Sequence, residues 1–359
     1  MTDELLDRAE GALLGLACGD AVSFPAMYHR QLAHPPFRRL LWTQALELDA
    51  EQVNKFPLPM TLSRPVSMLA FGPTDDSEHA ALAAVVLLGA GPDPSMDRLF
   101  DTWWGLVEPQ HESMWGSVAD RSAVKNALQG MRAPRTGNDN PHHYDDSSVA
   151  RAVPVGIRWA GDPETAATVA RRLASITNAE VGIDGPAAFA AAVAVLVGGG
   201  DLEAAVGAAR SQIGSGTWLS RMLATAEGIL EEHGSLFAAV PAFNDDVANR
   251  TYNFGNVVAE TLPLALLIAG RCSGLEQGLA IATLVPKQAD TLPAMVGALL
   301  GGAFGGTAIP RSWASRVEEL TGVCVPSTLG VRLRDLAAAL TSTSPRAHEA
   351  ARSGAEPEG

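Results

Sequence analysis

The chain has 359 residues, of which 47% are hydrophobic and 18% are charged, so it can bury a large core and is not disordered overall. Its formal net charge of −14 argues against a surface that binds nucleic acid or an anionic membrane. Three cysteines without CxxC spacing (Cys18, Cys272 and Cys324) predict neither a disulfide framework nor a structural zinc site.

The first ten residues, "MTDELLDRAE", are acidic and lack the apolar region of a signal peptide. The longest apolar stretches fall short of the roughly 20 residues that cross a membrane. We therefore expect a cytoplasmic protein that contacts no membrane and no nucleic acid, with its oligomeric state left open.

Ala-rich segments with helical spacing of apolar residues recur along the chain, and many of them end at glycine. Runs that alternate between apolar and polar residues, as in β-strands, are nearly absent. These patterns predict an all-α fold, in which helices that are apolar nearly all round lie inside a multi-helix bundle. The clearest segments, in order, are "LLDRAEGALLGLACGDA", "SEHAALAAVVLLGAG", "ETAATVARRLASITN", "GPAAFAAAVAVLVGG", "DLEAAVGAARSQIG", "LSRMLATAEGILEEHG", "NVVAETLPLALLIAG", "LEQGLAIATLVP" and "LPAMVGALLGGAFGG".

Two stretches between these helices look irregular. Residues 27–72 are Pro-rich and predict a long loop with short helices, and residues 131–146 predict a second loop. The sequence shows no fixed-period repeat and no interdomain linker. We therefore predict one domain over residues 1–342, followed by a flexible tail over residues 343–359.

Two acidic turns precede the most apolar helices. Thr74, Asp75 and Asp76 stand before one of them, and Asp290 and Thr291 stand before another. Taken singly, each turn is explained by helix capping, because acidic residues satisfy the free N–H groups and favour the helix dipole. Ionised carboxylates beside hydroxyls are also hard oxygen ligands, suited to Mg²⁺, Mn²⁺ or Ca²⁺ rather than zinc. If the two turns meet in space, their oxygens would share a cation.

Other polar or aromatic residues admit both structural and functional interpretations. Asp20, which we place at the end of a helix, is expected to bond to a neighbouring backbone N–H. The adjacent residues His142 and His143 stand near two aspartates, and solvation at the surface explains them more simply than a transition-metal site does. Trp115 is either a loop anchor or a wall for an aromatic group.

The stretch "NRTYNFGNVV" precedes a helix that we predict from about Asn256. Tyr252 or Phe254 could stack on an adenine or a sugar, and Gly255 would give a ligand access to the backbone. Core packing of the two rings explains them equally well.

Four stretches together resemble the ADP-ribosylglycohydrolase family, over about residues 8–311. They are "GALLGLACGDAV", "PTDDSEHAAL", "DDSSVARAVPVG" and "ADTLPAMVGALLGGAFGG", and they occur in the family's order. The resemblance implies a compact all-α fold with a central metal cleft that holds one or two Mg²⁺ ions, or Mn²⁺. It also implies hydrolysis of the glycosidic bond at C1″ of an ADP-ribosyl group, on a small molecule or linked to a protein.

The resemblance also assigns roles to residues of this chain. The implied metal ligands are Thr74, Asp75, Asp76, Gln288, Asp290 and Thr291. Asp75 or Asp76 would orient or deprotonate a metal-bound water, and Asp145, Asp146 and Ser148 would line the cleft. Asp145 or Asp146 is our own candidate for the acid or base. Asn178 occupies a family position in the wall for substrate, and Tyr252, Phe254 and Gly255 are our own candidates for completing that wall.

The chain departs from the family pattern at four places. Gln288 replaces the first aspartate of the family's Asp-x-Asp-Thr motif, and Met27 stands where many members have a glutamate. Asn178 stands where many members have a histidine, and the pair Asp145–Asp146 replaces the usual Asn-Gly.

These departures keep alternatives open. The chain could be a binding protein for ADP-ribose or a nucleotide without hydrolysis, or an enzyme on the same scaffold that acts on another nucleoside or glycoside. A purely structural role is the remaining alternative.

Overall fold

A computed structural model describes residues 2–33, 72–248 and 257–344, and these ranges contain α-helices and no β-strand. The all-α prediction is confirmed. Two isolated β-bridges, Asp145 to Val257 and Glu319 to Arg332, join loops. The helices are α1 (Thr2–Ala33), α2 (Asp75–Ala90), α3 (Met96–Val107), α4 (Val118–Leu128), α5 (Arg135–Asn138), α6 (Ser147–Ala150), α7 (Ala152–Arg158), α8 (Pro163–Ala174), α9 (Val181–Val197), α10 (Leu202–Ser211), α11 (Trp218–His233), α12 (Leu236–Ala242), α13 (Val258–Ala269), α14 (Leu275–Ala282), α15 (Leu292–Phe304), α16 (Arg311–Val317) and α17 (Leu333–Ser342).

Local sequence signals explain where many of these helices begin and end. Ser117 and Asp120 form a reciprocal capping box at the start of α4. Asp162 caps α8 through the backbone N–H of Thr165, and a proline occupies the first turn. At the other end of a helix, Gly234 closes α11 with φ 71°, a left-handed conformation that favours glycine.

Helices α1 and α15 form the closest helix pair at the centre of the fold, and they run antiparallel. A Cβ atom added to Gly11 would lie 2.1 Å from the carbonyl oxygen of Gly301. One added to Gly19 would lie 2.0 Å from the carbonyl oxygen of Pro293. Only glycine allows this approach of two backbones. Because the contacts continue to Pro293, the later part of α1 lies beside the N-terminus of α15.

The helices that are apolar nearly all round form the interior, as their sequences predict. Every residue of α13 is buried, and α9 is buried along most of its length. Helix α9 packs against α7, α8, α10 and α15, so it lies between layers of the bundle. None of the helices in the described ranges combines the length and the hydropathy that a membrane span requires.

The structure corrects the predicted loops in two places. Helix α1 continues to Ala33, so residues 27–33 are helical rather than irregular, and residues 34–71 lie outside the described residues. The second loop, residues 131–146, contains one helical turn, α5. Helix α17 ends at Ser342, where we predicted the end of the domain. The single domain and the flexible tail stay predictions.

Candidate active site

Asp20 holds the N-terminus of α2 from within α1. Its carboxylate accepts hydrogen bonds from the backbone N–H of Thr74 (2.8 Å) and of Ser77 (3.0 Å), and from both hydroxyls. Asp20 does accept from backbone N–H groups, but these lie 54 and 57 residues along the chain, so the predicted bond to a neighbouring N–H is wrong. Its predicted position at a helix end is also wrong, because α1 continues to Ala33. Thr74 is the N-cap residue of α2, yet its side chain accepts no capping bond, because Asp20 performs that function instead.

The second acidic turn stands at the start of α15. Thr291 is the N-cap residue, Pro293 lies in the first turn, and the Thr291 side chain makes no capping bond. Its hydroxyl instead lies 3.3 Å from Oδ1 of Asp146, to which it donates. The hydroxyl of Thr261, on α13, donates to Oδ2 of Asp146 at 2.6 Å. The turn at Thr291 is therefore linked to the Asp145–Asp146 pair.

The two acidic turns interact electrostatically. Asp76 is only 8% exposed, and burial raises its pKa well above the usual range. Four carboxylates raise it further by repulsion: Asp75, Asp20, Asp290 and Asp146. Burial, followed by repulsion from Asp75, also raises the pKa of Asp20 to about 6. The two turns thus belong to one group of carboxylates, and a cation among them would relieve their repulsion.

Asp145 and Asp146 are adjacent in sequence but face different surroundings. The carboxylate of Asp145 accepts from the backbone N–H of Ala119 (3.3 Å), the Ser147 hydroxyl (2.7 Å) and the Asn178 amide (3.1 Å). Burial raises the pKa of both aspartates. Asp146 faces the acidic turns, whereas Asp145 faces the start of α4 and the loop that contains Asn178.

The predicted substrate wall is only partly described. The hydroxyl of Ser148 donates to the carbonyl of Gly182 at 2.9 Å, and both Ser148 and Asn178 are buried. Their polar groups bond within the protein. Outside the described residues lie Tyr252, Phe254, Gly255 and the side chain of Met27.

Gln288 is buried, and its amide bonds to α13. Its Oε1 lies 2.8 Å from the Thr261 hydroxyl, and its Nε2 donates to Oε2 of Glu260 at 2.5 Å. The same Glu260 oxygen accepts from the ammonium of Lys287 at 2.9 Å. We did not single out Glu260 or Thr261 from the sequence. The available signal was a charged residue inside the apolar run "VAETLPLALLIA".

The oxygen atoms available as ligands at the two acidic turns fit a hard divalent cation. Carboxylates and hydroxyls surround this region, and these are the ligands that Mg²⁺ and Mn²⁺ prefer. In the part of the chain that the structure describes, no three His, Cys, Asp or Glu side chains already form a metal-binding group. The predicted metal and its central cleft therefore stay predictions. A groove of about 1260 Å³ between α10, α11 and α13 is lined by none of the predicted site residues.

Comparison with known proteins agrees with the resemblance seen in the sequence. Residues 1–350 match the model of the ADP-ribosylglycohydrolase family. A Pseudomonas putida (strain GB-1) protein named ADP-ribosylarginine hydrolase Tri1 is 24% identical over 326 residues, which cover 88% of this chain and 75% of that protein. A solved structure described as an ADP-ribosylglycohydrolase-related protein complex superposes with a TM-score of 0.60 at 23% identity. The superposition covers 95% of this chain and 99% of the chain in that structure, and it supports the all-α fold.

Proposed function

Since the chain belongs to the ADP-ribosylglycohydrolase family, we propose that it hydrolyses the bond between ADP-ribose and an arginine side chain in a Mg²⁺-dependent reaction. The observation that carries this proposal is the group of carboxylates at the N-termini of α2 and α15, where burial and repulsion raise the pKa of Asp76. The name of the Pseudomonas relative supports arginine as the linked residue.

The residues that would hold the ion come from both acidic turns. Asp76 and Asp290 would supply charged oxygens, and Thr74, Asp75 and Thr291 would complete the set. When bound, a divalent cation supplies fixed positive charge that binds ribose hydroxyls and polarises the reacting centre. Burial of Asp76 supports this role, since a buried carboxylate is stable when it is paired with a cation.

The proton of the attacking water needs an acceptor near the anomeric carbon. Asp75 is partly exposed at the first turn of α2, whereas Asp76 is buried. Asp75 is therefore our proposed base. Cleavage at C1″ develops oxocarbenium character, which the neighbouring carboxylates stabilise.

The leaving group favours arginine over serine. An ADP-ribosylated guanidinium departs as a neutral guanidine, which then takes up the proton that Asp75 accepted from the water, so that Asp75 returns to its ionised state. The protein does not have to donate a proton for that departure. A serine alkoxide leaves only with a proton from a general acid, and Met27 stands where many family members have a glutamate. For Asp145 we propose a positioning role, because its carboxylate accepts several internal hydrogen bonds.

The test is release of ADP-ribose from ADP-ribosylated arginine and serine peptides, with Mg²⁺ and with EDTA. We expect turnover of the arginine peptide, loss of turnover in EDTA, and a loss of about 100-fold or more in D75N and D76N. D93N is the matched control, because the Asp93 side chain is 98% exposed. No turnover of either peptide by metal-loaded protein would refute the proposal, and ADP-ribose binding without turnover would indicate a binding protein.

A further inference from the structure

The orientation of Gln288 is set by what its amide contacts. A carboxylate only accepts hydrogen bonds, so the amide nitrogen must face Glu260, at 2.5 Å, and the amide oxygen must face Thr261. Glu260 is 1% exposed and also accepts from Lys287, which makes this a buried charged pair. Gln288 is thereby engaged with α13, and as a neutral amide it brings no negative charge to the acidic turns.

Thr261 connects Gln288 to Asp146. Its hydroxyl oxygen lies 2.6 Å from Oδ2 of Asp146 and 2.8 Å from Oε1 of Gln288. A hydroxyl has one hydrogen, and it donates more strongly to a carboxylate than to a neutral amide oxygen. The carboxylate of Asp146 therefore lies one hydroxyl group away from the side chain at position 288.

Asp146 also contacts the motif that contains Gln288. Its other oxygen, Oδ1, lies 3.3 Å from the hydroxyl of Thr291, and its side chain is 1% exposed. Repulsion couples Asp146 to Asp290 and to Asp76, one on each acidic turn. Asp146 thus lies near a carboxylate of each turn. Its neighbour Asp145 points to other partners.

We propose that Asp146 supplies the ligand carboxylate that this site lacks at position 288, so that the negative charge has moved from one loop to another. This inference rests on the proposed function, because it assumes a cation between the acidic turns. The resemblance places a neutral Asn-Gly pair where this chain has Asp145 and Asp146, and an aspartate where it has Gln288. Two aspartates are gained and one is lost, but the Asp145 carboxylate is engaged by other partners. Gaining Asp146 and losing the aspartate at position 288 therefore leaves the number of carboxylates that face the ion unchanged, which preserves affinity for a hard cation.

The test is Mn²⁺ binding to the full-length protein, measured by calorimetry without substrate, for the wild type and for variants that move the charge. We expect D146N to weaken binding about tenfold or more, since the charge of the ligand set tunes cation affinity. The double variant D146N/Q288D should recover binding to within about threefold of the wild type. D139N is the control, because Asp139 is exposed in the preceding loop.

A second variant keeps the inference testable if D146N fails to fold. Q288D alone should bind Mn²⁺ more tightly than the wild type, because it adds a carboxylate and keeps Asp146. Unchanged binding by D146N, no recovery in a folded double variant, or no gain in Q288D would overturn the inference. In those cases hydrolysis and its Mg²⁺ dependence stand unaffected. If the wild type binds no Mn²⁺ at all, this inference fails together with the metal dependence of the proposed function.

Discussion

The substitution Gly297→Ala tests how tightly α1 and α15 must pack to form the site. A Cβ atom at position 297 would lie 2.0 Å from the carbonyl oxygen of Gly15, which is backbone and cannot rotate away. Ordinary van der Waals contact begins at 3.4 Å, so the two helices must separate by about 1.4 Å there. The same helix begins beside Asp290 and Thr291, so a shift of α15 also moves the second acidic turn relative to the first.

The magnitude follows from two opposing effects. Over-packing a dense interior costs about 1–3 kcal/mol, occasionally more, and alanine gains up to about 1 kcal/mol over glycine in helix propensity. A backbone contact lies at the costly end, so we expect Gly297→Ala to lower the free energy of unfolding by about 2 kcal/mol. Gly228→Ala in α11 is the matched control, because its Cβ atom meets nothing within 4 Å and it should stabilise slightly.

Urea unfolding followed by circular dichroism measures both variants, with unchanged m-values expected. Mn²⁺ affinity should fall in Gly297→Ala and stay unchanged in Gly228→Ala. If Gly297→Ala is as stable as the wild type and binds Mn²⁺ equally well, the two helices have room for an added methyl group. The argument that close packing of α1 and α15 positions the acidic turns would then be refuted.

Three further predictions concern buried carboxylates. In D120N we expect a loss of about 3 kcal/mol at pH 7, because Arg151, 2.8 Å from Asp120, would keep a buried charge without its partner. Burial raises the pKa of Asp120, but attraction to Arg151 outweighs burial and lowers it below the usual value. The stabilisation by this ion pair is therefore present above about pH 4 and is lost in more acidic solution. In urea titrations at such acidic pH, D120N should be as stable as the wild type. E78Q should lower the free energy of unfolding by about 3 kcal/mol in the same assay, since the buried Glu78 carboxylate accepts hydrogen bonds from backbone N–H groups of the loop that ends at Val325. Equal stability of E78Q and the wild type would contradict this role of Glu78. Saturating Mn²⁺, at about 100 times its dissociation constant, should add about 2.7 kcal/mol to wild-type stability and much less to D76N; an equal gain in both would exclude Asp76 as a ligand.

Much of the local structure was predictable because it depends on residues within one turn of one another. Helix α2 begins at Asp75 and α15 begins at Leu292, at the two acidic turns from which their N-termini were predicted. Hydrophobic spacing predicted α13, although not the role of Glu260 within it. The family was recognisable from four motifs because they bring ligand-type residues together in a fixed order. Hydrolysis of an arginine-linked ADP-ribose, its metal and the roles of the site residues stay predictions.

The sequence by itself determined most of the helices and the family, because hydrophobic periodicity and the order of motifs are properties of the chain alone. Only the tertiary structure decided which way each polar side chain faces. Asp20 reaches the N-terminus of α2, 54 residues away, because the glycines of α1 let it pack at the centre of the fold. The side chains of Asp145 and Asp146 have different hydrogen-bond partners, and the amide of Gln288 bonds to α13. Buried polar groups bond to whichever partners the packing brings within hydrogen-bond distance. Partners as far apart as Thr291 and Asp146, 145 residues along the chain, are chosen by the arrangement of helices and not by any local pattern.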